Sequence, residues 1–233
     1  MPNQQTPTSS ISSILLGHVR FNYQAVLEQT IDNELKQTDA TSRVIRREGI
    51  NIITPDAPSA YILAVATVEA FVNEVFLGTL AQSFIKGTPL ENLSEALERI
   101  DISTKLIILP QLAFNKSLQK DQPPYQDMAL LIKVRNDLVH YKMELREPKY
   151  LKSLQDRHIA LRWPNIPWTF ALSTSEGIRW AHNTTCETIQ KVYEFLPDGY
   201  RAMLRNYIED FSSISKEEVE GRFAEHRINI DAQ

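Results

Sequence analysis

The chain has 233 residues, of which 42% are hydrophobic and 23% charged, and its formal net charge is −4 at pH 7. This composition is that of an ordinary soluble globular protein with enough chain for one sizeable core. One cysteine excludes a disulfide framework, the lack of a secretion signal predicts a cytoplasmic protein, and the negative charge argues against a general nucleic-acid coat protein.

The N-terminal part predicts a polar tail and one amphipathic helix. Residues 1–13 are rich in Gln, Ser, Thr and Pro, and are expected to be disordered. In residues 14–37 apolar side chains recur every three or four positions, which predicts a helix. After a polar connection, Asp56 and Pro58 are typical of the first turn of a second helix.

The second helix contains the most apolar stretch of the chain, residues 61–84. Glu69, Asn73 and Glu74 interrupt this stretch, and no apolar run approaches the ~20 residues that a membrane span needs. We therefore expect a buried core helix and no membrane association. Glu69 and Asn73 share a helix face with apolar residues, so both are expected to point into apolar surroundings.

Capping signals and prolines divide the next part of the chain. Thr88-Pro-Leu-Glu91 is a capping box with Pro at the first helical position, and it predicts a helix to about Ile100. Residues 105–118 form a further helical segment, which is expected to break at Pro110. Pro123-Pro124 is expected to begin the following helix.

The helix predicted over residues 125–142 mixes apolar and polar positions. Its apolar residues follow helical spacing, which predicts burial against other helices: Met128, Leu131, Ile132, Val134, Leu138 and Val139. Arg135 lies within this apolar arc, so its guanidinium needs a partner or a ligand. Asn136 and His140 are four residues apart and stack on the opposite face.

The C-terminal third predicts further helices around one irregular segment. Residues 149–158 indicate a short helix, whereas 160–172, with Trp and Pro residues, indicates a packed loop or short hairpin. Ser173-Thr-Ser-Glu176 is a second capping box that begins a helix to Leu196. A last helix is predicted over residues 200–211.

Helical periods dominate throughout, so we predict an all-α bundle. Residues 14–211 are expected to form its single domain, followed by a charged C-terminal tail over residues 212–233. The chain shows no Gly-rich phosphate loop and no internal repeat, so P-loop, Rossmann and solenoid folds have no support.

Arg135, Asn136 and His140 can together cleave RNA without a metal, and no cofactor is predicted. An imidazole titrates near neutrality and can take a proton from a ribose 2′-hydroxyl or return one to the leaving 5′-oxygen. A guanidinium can brace the phosphoryl oxygens while charge builds in the transition state. Asn136 can orient the His140 ring or hold a phosphate oxygen.

A structural explanation of the same residues stays open. Arg135 would then pair with a buried carboxylate, Glu69 being the first candidate and Glu74 the second, while His140 would only hydrogen-bond within a helix interface. In either case Glu69, Asn73 and Glu74 are expected to orient other groups rather than to react.

Two weaker patterns favour packing over function. His182 and Cys186 share a helix face but have no third ligand nearby, so no metal site is predicted. Trp163, Trp168 and Trp180 could stack on bases, although anchoring of the core or of loops is favoured.

Positive charge is concentrated around the helix that carries Arg135, Asn136 and His140, which we call the motif residues. Residues 133–152 carry a local net charge of +3, and Arg43, Arg46 and Arg47 form a second basic cluster. A solvated face is the usual role of such clusters and an RNA-binding surface is the alternative. If RNA binds, the expected contacts are Lys133, Tyr141 and Lys142.

At Arg135-Asn136-Asp137-Leu138-Val139-His140 the chain resembles the HEPN superfamily. The hallmark of that superfamily is Arg, a polar residue and then His four to six positions on, near the end of a helix in an all-α bundle. Tyr141-Lys142 is a common continuation, Ala64–Phe76 is similar to the other long core helix, and Ser103–Pro110 to the short connecting helix. The resemblance covers roughly residues 57–200 and implies an antiparallel HEPN-like bundle, here with a Trp/Pro-rich insertion.

The resemblance also implies a function. Many HEPN proteins cleave RNA without a metal, generally as homodimers in which two motif helices form one composite cleft. The resemblance therefore predicts an endoribonuclease of the toxin, defence or stress type. Its expected partners are RNA, a second copy of the chain and a neutralising or regulatory protein. The alternatives are a catalytically silent dimeric interaction or regulatory module, and a nucleotide-binding protein without turnover.

Overall fold

The computed structural model describes residues 10–36, 56–80, 87–88, 91, 94–140, 147–162 and 166–215, and their side chains except those of 26–36, 78–80 and 94–95. Over these residues the chain has an all-α fold, which confirms the predicted class. Its elements are α1 (Ile11–Lys36), α2 (Ala57–Val72), the π-helical segment π1 (Asn73–Leu80), α3 (Ser94–Arg99), α4 (Ile102–Phe114), α5 (Tyr125–Val139), α6 (Leu151–Asp156), α7 (Trp168–Ala171), α8 (Ser175–Glu194) and α9 (Asp198–Ile208).

Four long helices form the core, with α2 at its centre. Helix α2 packs against α1, α5 and α8, and α8 packs in turn against α1 and α5. The buried side chains of α2 are mostly small or β-branched, which lets neighbouring helices approach from several sides: Ala57, Ala60, Tyr61, Ala64, Val65, Thr67, Val68, Phe71 and Val72.

From the sequence we expected no apolar run of the length that a membrane span needs, but the continuous helical stretch Ala57–Leu77 reaches that length. Its 21 residues and mean hydropathy of 1.6 would suffice to cross a membrane, so length does not distinguish a span from a core helix. In the fold, 56% of this stretch is buried inside the bundle. The position of α2 between three other helices is that of a core element.

Helix α1 begins at Ile11. Residues 11–13 are therefore helical, and the prediction that they belong to a disordered tail is wrong. The carboxylate of Glu74 on π1 accepts hydrogen bonds from the backbone N–H of Ile11 (3.0 Å) and the hydroxyl of Ser12 (2.7 Å). The hydroxyl of Tyr207 on α9 donates to the same carboxylate (2.9 Å). A carboxylate at a helix N-terminus satisfies its unpaired N–H groups and opposes the helix dipole, so this contact extends α1.

The other end of the predicted domain also extends further than expected. Phe211 is fully buried and Ile214 is only 4% exposed, although residues 212–215 were assigned to a charged tail. The backbone N–H of Ile214 donates to Asn183 on α8 (2.8 Å). Residues 216–233, the rest of the predicted tail, lie outside the described residues.

Helix α4 continues through Pro110, where the sequence predicted a break. It begins at Asp101, whose carboxylate accepts the N–H of Thr104 (3.0 Å), and ends at Asn115 in the left-handed conformation with φ of 52°. Asn tolerates that conformation and is a common helix end. Burial of Ile102, Leu106 and Leu109 on one side of α4 offsets the hydrogen bond that Pro110 cannot donate.

Helix α8 begins one residue later than the capping box suggested. Its cap is Thr174, whose hydroxyl oxygen accepts the N–H of Gly177 (2.9 Å) and whose hydroxyl donates to the carbonyl of Ile159 (2.6 Å). Before it, residues 160–167 contain no helix where described, and α7 is one short turn. The predicted irregular segment 160–172 is therefore confirmed for residues 160–162 and 166–167, whereas residues 168–171 form a helical turn.

Candidate functional site

The motif residues lie at the C-terminal end of α5, on the surface of the bundle. Helix α5 ends at Val139, and the backbone N–H of His140 donates to the carbonyl of Asn136 (2.9 Å). The side chains of Lys133, Asn136 and His140 are exposed. Their spacing of three to four residues places them on one solvent-facing side, because one helical turn takes 3.6 residues.

Arg135 lies in the apolar arc of α5, away from the side that carries Asn136 and His140. Its side chain is half-buried, next to the fully buried Val134 on the same helix. Within the described residues no carboxylate pairs with Arg135. The guanidinium therefore combines partial burial with an opening to solvent, an environment suited to an anionic group.

The buried side of α5 is narrower than predicted. Met128, Leu131, Ile132 and Val134 are buried, but Leu138 is half-buried and Val139 is 51% exposed. In the last turn only Leu138 still packs against the core, while Val139 faces solvent. The motif end is thus an open surface with one exposed apolar side chain.

The predicted pairing of Glu69 with Arg135 is wrong. Glu69 lies against Lys105 of α4, with 3.4 Å between Oε1 and Nζ, and the Lys105 side chain is completely buried. The amide oxygen of Asn73 accepts a second hydrogen bond from the same Nζ (3.0 Å). The cation that Glu69 and Asn73 hold in this structure is Lys105.

The packing direction of α2 and α5 explains why Glu69 cannot reach Arg135. Tyr150 lies near both Asp137, at the end of α5, and Tyr61, at the start of α2, so the two helices are antiparallel. Glu69 is eight residues further along α2, about 12 Å from that end at 1.5 Å per residue. Lys105 reaches it from the first turns of α4 instead.

Glu74, the second predicted partner of Arg135, is also engaged elsewhere. Its carboxylate binds Ile11, Ser12 and Tyr207, as described above. These contacts join α1, π1 and α9 at the opposite end of α2 from the motif. Glu74 thus holds the start of α1, and the prediction that it holds Arg135 is wrong.

The Lys105 cluster leads to a stability prediction. Glu69→Gln removes the negative partner of a fully buried ammonium group, which costs about 3–5 kcal/mol in a wholly buried pair. Because the Glu69 side chain is 38% exposed and water screens the pair, we expect a loss of about 1–2 kcal/mol in urea unfolding. Lys105→Met should cost less, since it removes the buried charge and retains most of the volume.

The exposed Glu98→Gln on α3 serves as the control and should change the unfolding free energy by less than about 0.5 kcal/mol. A Lys105→Met variant less stable than Glu69→Gln would contradict this account of the cluster.

Tyr150 is a neighbour of the motif that the sequence did not indicate. Its hydroxyl is buried, and burial together with the nearby Asp137 carboxylate raises its pKa. The phenol is therefore protonated at neutral pH and keeps its proton beside Asp137. Only the fold brings these residues together, because 13 positions separate them and no local pattern links them.

The other residues predicted to form a basic, RNA-binding surface are only partly described. Tyr141 and Lys142 lie outside the described residues, as do Arg43, Arg46 and Arg47. Lys149 and Lys152, which follow the motif, are exposed together with Lys133. These described lysines are compatible with the basic surface that the sequence indicated.

The described tryptophans and the pair of His182 and Cys186 pack in the core. Trp168 and Trp180 are 8% and 7% exposed, so neither offers a face for bases, and Trp163 lies outside the described residues. His182 and Cys186 are fully buried with 3.7 Å between Nδ1 and Sγ, and burial raises the pKa of the Cys186 thiol to about 12. No group of three or more potential metal ligands occurs in the described part of the chain.

Comparison with known proteins adds no relative to these observations. No protein-family model, no curated protein and no solved structure matches the chain. The fold therefore defines an all-α helical-bundle protein. Assignment to a particular superfamily rests on the motif residues alone.

Proposed function

We propose that the protein is a metal-independent endoribonuclease of the HEPN type. One observation carries the proposal: the exposed Asn136 and His140 share the last turns of α5 with a half-buried Arg135 that has no acidic partner within the described residues. An imidazole, an amide and a guanidinium that reach the same phosphodiester can act on it without a further group.

The reaction would be an internal transfer at phosphorus. His140 acting as base removes the proton of a ribose 2′-hydroxyl, and the 2′-oxygen attacks the adjacent phosphorus while the bond to the 5′-oxygen breaks. The products are a 2′,3′-cyclic phosphate and a 5′-hydroxyl end. Arg135 would stabilise the phosphoryl oxygens, and Asn136 would position the phosphate or the imidazole ring.

A homodimer would complete this chemistry. The concerted reaction needs one group to take a proton from the 2′-hydroxyl and another to return one to the 5′-oxygen, whereas each chain offers one motif histidine. Two α5 ends related by a two-fold axis would supply both imidazoles in one cleft. The exposed Val139 would contribute apolar contact beside them.

The proposal is tested with purified protein, unstructured RNA and EDTA. We expect cleavage that produces 2′,3′-cyclic phosphate ends, and no cleavage of an oligonucleotide whose scissile nucleotide carries 2′-deoxyribose. Cleavage of the deoxy substrate, or ends of another type, would exclude attack by the 2′-hydroxyl. We also propose that this activity serves a toxin, defence or stress role and that a partner protein neutralises it.

A catalytically silent interaction module is the second candidate function. Val139, 51% exposed beside Arg135, Asn136 and His140, would lie in the contact surface of such a module, whose centre is expected to be apolar. Absence of RNA cleavage by a protein that is dimeric through α5 would favour this candidate.

A further inference from the structure

Helix α1 has apolar residues on two opposite sides. Its inner side contributes Leu16, Val19 and Tyr23 to the core, and all three are buried. Its outer side carries Ile11, Ile14 and Phe21, which are 63%, 50% and 65% exposed. A helix that is apolar on both sides is normally covered on both, so the outer side is a candidate interface.

The outer residues follow the pattern of a two-helix contact. Ile11, Ile14, His18 and Phe21 are spaced by three, four and three residues, which are the a and d positions of a heptad. We call these four residues the outer face of α1. His18 is also exposed, so no described part of the chain covers the outer face.

Gly17 lies beside the outer face, and nothing in the described fold requires a glycine at this position. It is exposed in the middle of α1, and a Cβ atom at this position would meet nothing within 4 Å. Glycine weakens a helix interior relative to alanine, so its presence here has a cost without a local benefit. A glycine beside a contact face allows a second helix to approach closely.

The charges around the outer face favour a partner with the same face. In paired helices the e and g positions select the partner by charge, and here the described ones are uncharged: Leu15, Gly17, Asn22 and Gln24. A charged partner helix would find no complementary group. A second copy of α1 would meet this face without opposing charged groups at the described e and g positions.

We propose that the outer face of α1 binds the outer face of a second copy, with the two helices antiparallel about a two-fold axis. In this pairing Ile11 lies against Phe21 of the second copy, and Ile14 against its His18. The pairing is distinct from the α5 contact of the proposed function. Glu74 beside the start of α1 and Tyr61 near the end of α5 are 13 residues apart on one continuous helix, about 20 Å.

Together with the α5 contact of the proposed function, the α1 contact would give a closed tetramer if the two axes cross at right angles. We expect light scattering of the wild-type chain at tens of micromolar to give about four times 26.7 kDa. Phe21→Glu should reduce this to a dimer by weakening the α1 contact about 30-fold or more, because it places a charge against the apolar Ile11 of the second copy in two symmetry-related layers. Met203→Glu, at a 71% exposed residue on α9, is the matched control and should leave the mass unchanged.

Gly17→Ala gives a second test with two readouts of opposite sign. Alanine favours the helix, so the unfolding midpoint of the dissociated chain should rise. Its methyl group would separate the paired helices, so association should weaken about tenfold. A rise of the midpoint with unchanged association would overturn the proposal.

Val139→Glu separates this inference from the α5 dimer. A wild-type dimer that Phe21→Glu converts to a monomer and Val139→Glu leaves intact supports the α1 contact and contradicts the α5 contact. A wild-type dimer or tetramer whose mass Phe21→Glu does not change overturns the α1 contact. A monomeric wild type overturns it as well, and destabilisation of that monomer by Phe21→Glu would show that its own chain covers the outer face.

Discussion

Replacing His140 with alanine is expected to slow RNA cleavage in EDTA by about 10²–10⁴-fold and to leave the helical circular dichroism unchanged. The expected size is that of a lost general acid or base. The fold should be unaffected, because His140 is exposed and follows the last residue of α5. The measurement is the initial rate on a fluorescent RNA with substrate well below saturation.

Arg135 provides an independent test of the same site. Arg135→Ala should lower the rate by about 10²–10³-fold, since it removes the group that stabilises the phosphoryl charge. Arg135→Lys should recover only part of this loss, because an ammonium group cannot bind two phosphate oxygens in the planar fork geometry of a guanidinium.

His158→Asn is the matched control for these variants. His158 is exposed and lies after α6 with φ of 58°, a left-handed conformation that asparagine tolerates. Its replacement should leave the rate within twofold of wild type, or about 0.4 kcal/mol. Full activity of His140→Ala would exclude His140 as the acid or base, whatever the behaviour of the control.

Gly177→Ala is expected to be the most destabilising single methyl addition in the described fold. A Cβ atom there would lie 1.9 Å from the hydroxyl oxygen of Tyr61, which is fully buried and donates to the carbonyl of Leu172 (2.9 Å). Tyr61 cannot move without breaking that bond and its packing on Trp180. We expect a loss of about 3 kcal/mol or more in the free energy of unfolding by urea.

Gly199→Ala is the control for this variant, because Gly199 lies in the first turn of α9 and a Cβ there would meet nothing within 4 Å. It should be neutral or stabilising by up to about 1 kcal/mol. If both variants unfold at the wild-type midpoint, the close contact of Tyr61 with the start of α8 does not exist in solution.

The sequence determined the features that depend on local helical geometry. Spacing of three and four residues predicted the all-α class, and Pro124 gave the start of α5 at Tyr125. The same rule put Asn136 and His140 on one side of the helix, and both are exposed there. These predictions succeed because the rise and twist of a helix are fixed, so neighbouring residues have a known relation whatever packs around them.

The tertiary structure decided the contacts between residues far apart in the chain. Glu69 holds Lys105, 36 positions away, and the sequence proposed Arg135 because both residues lie in apolar arcs. Choosing between two such cations requires the direction and level at which α2 packs on its neighbours, which no single helix pattern contains. The burial of Lys105 and the exposure of Val139 follow from the same packing, since a side chain is covered only where another helix reaches it.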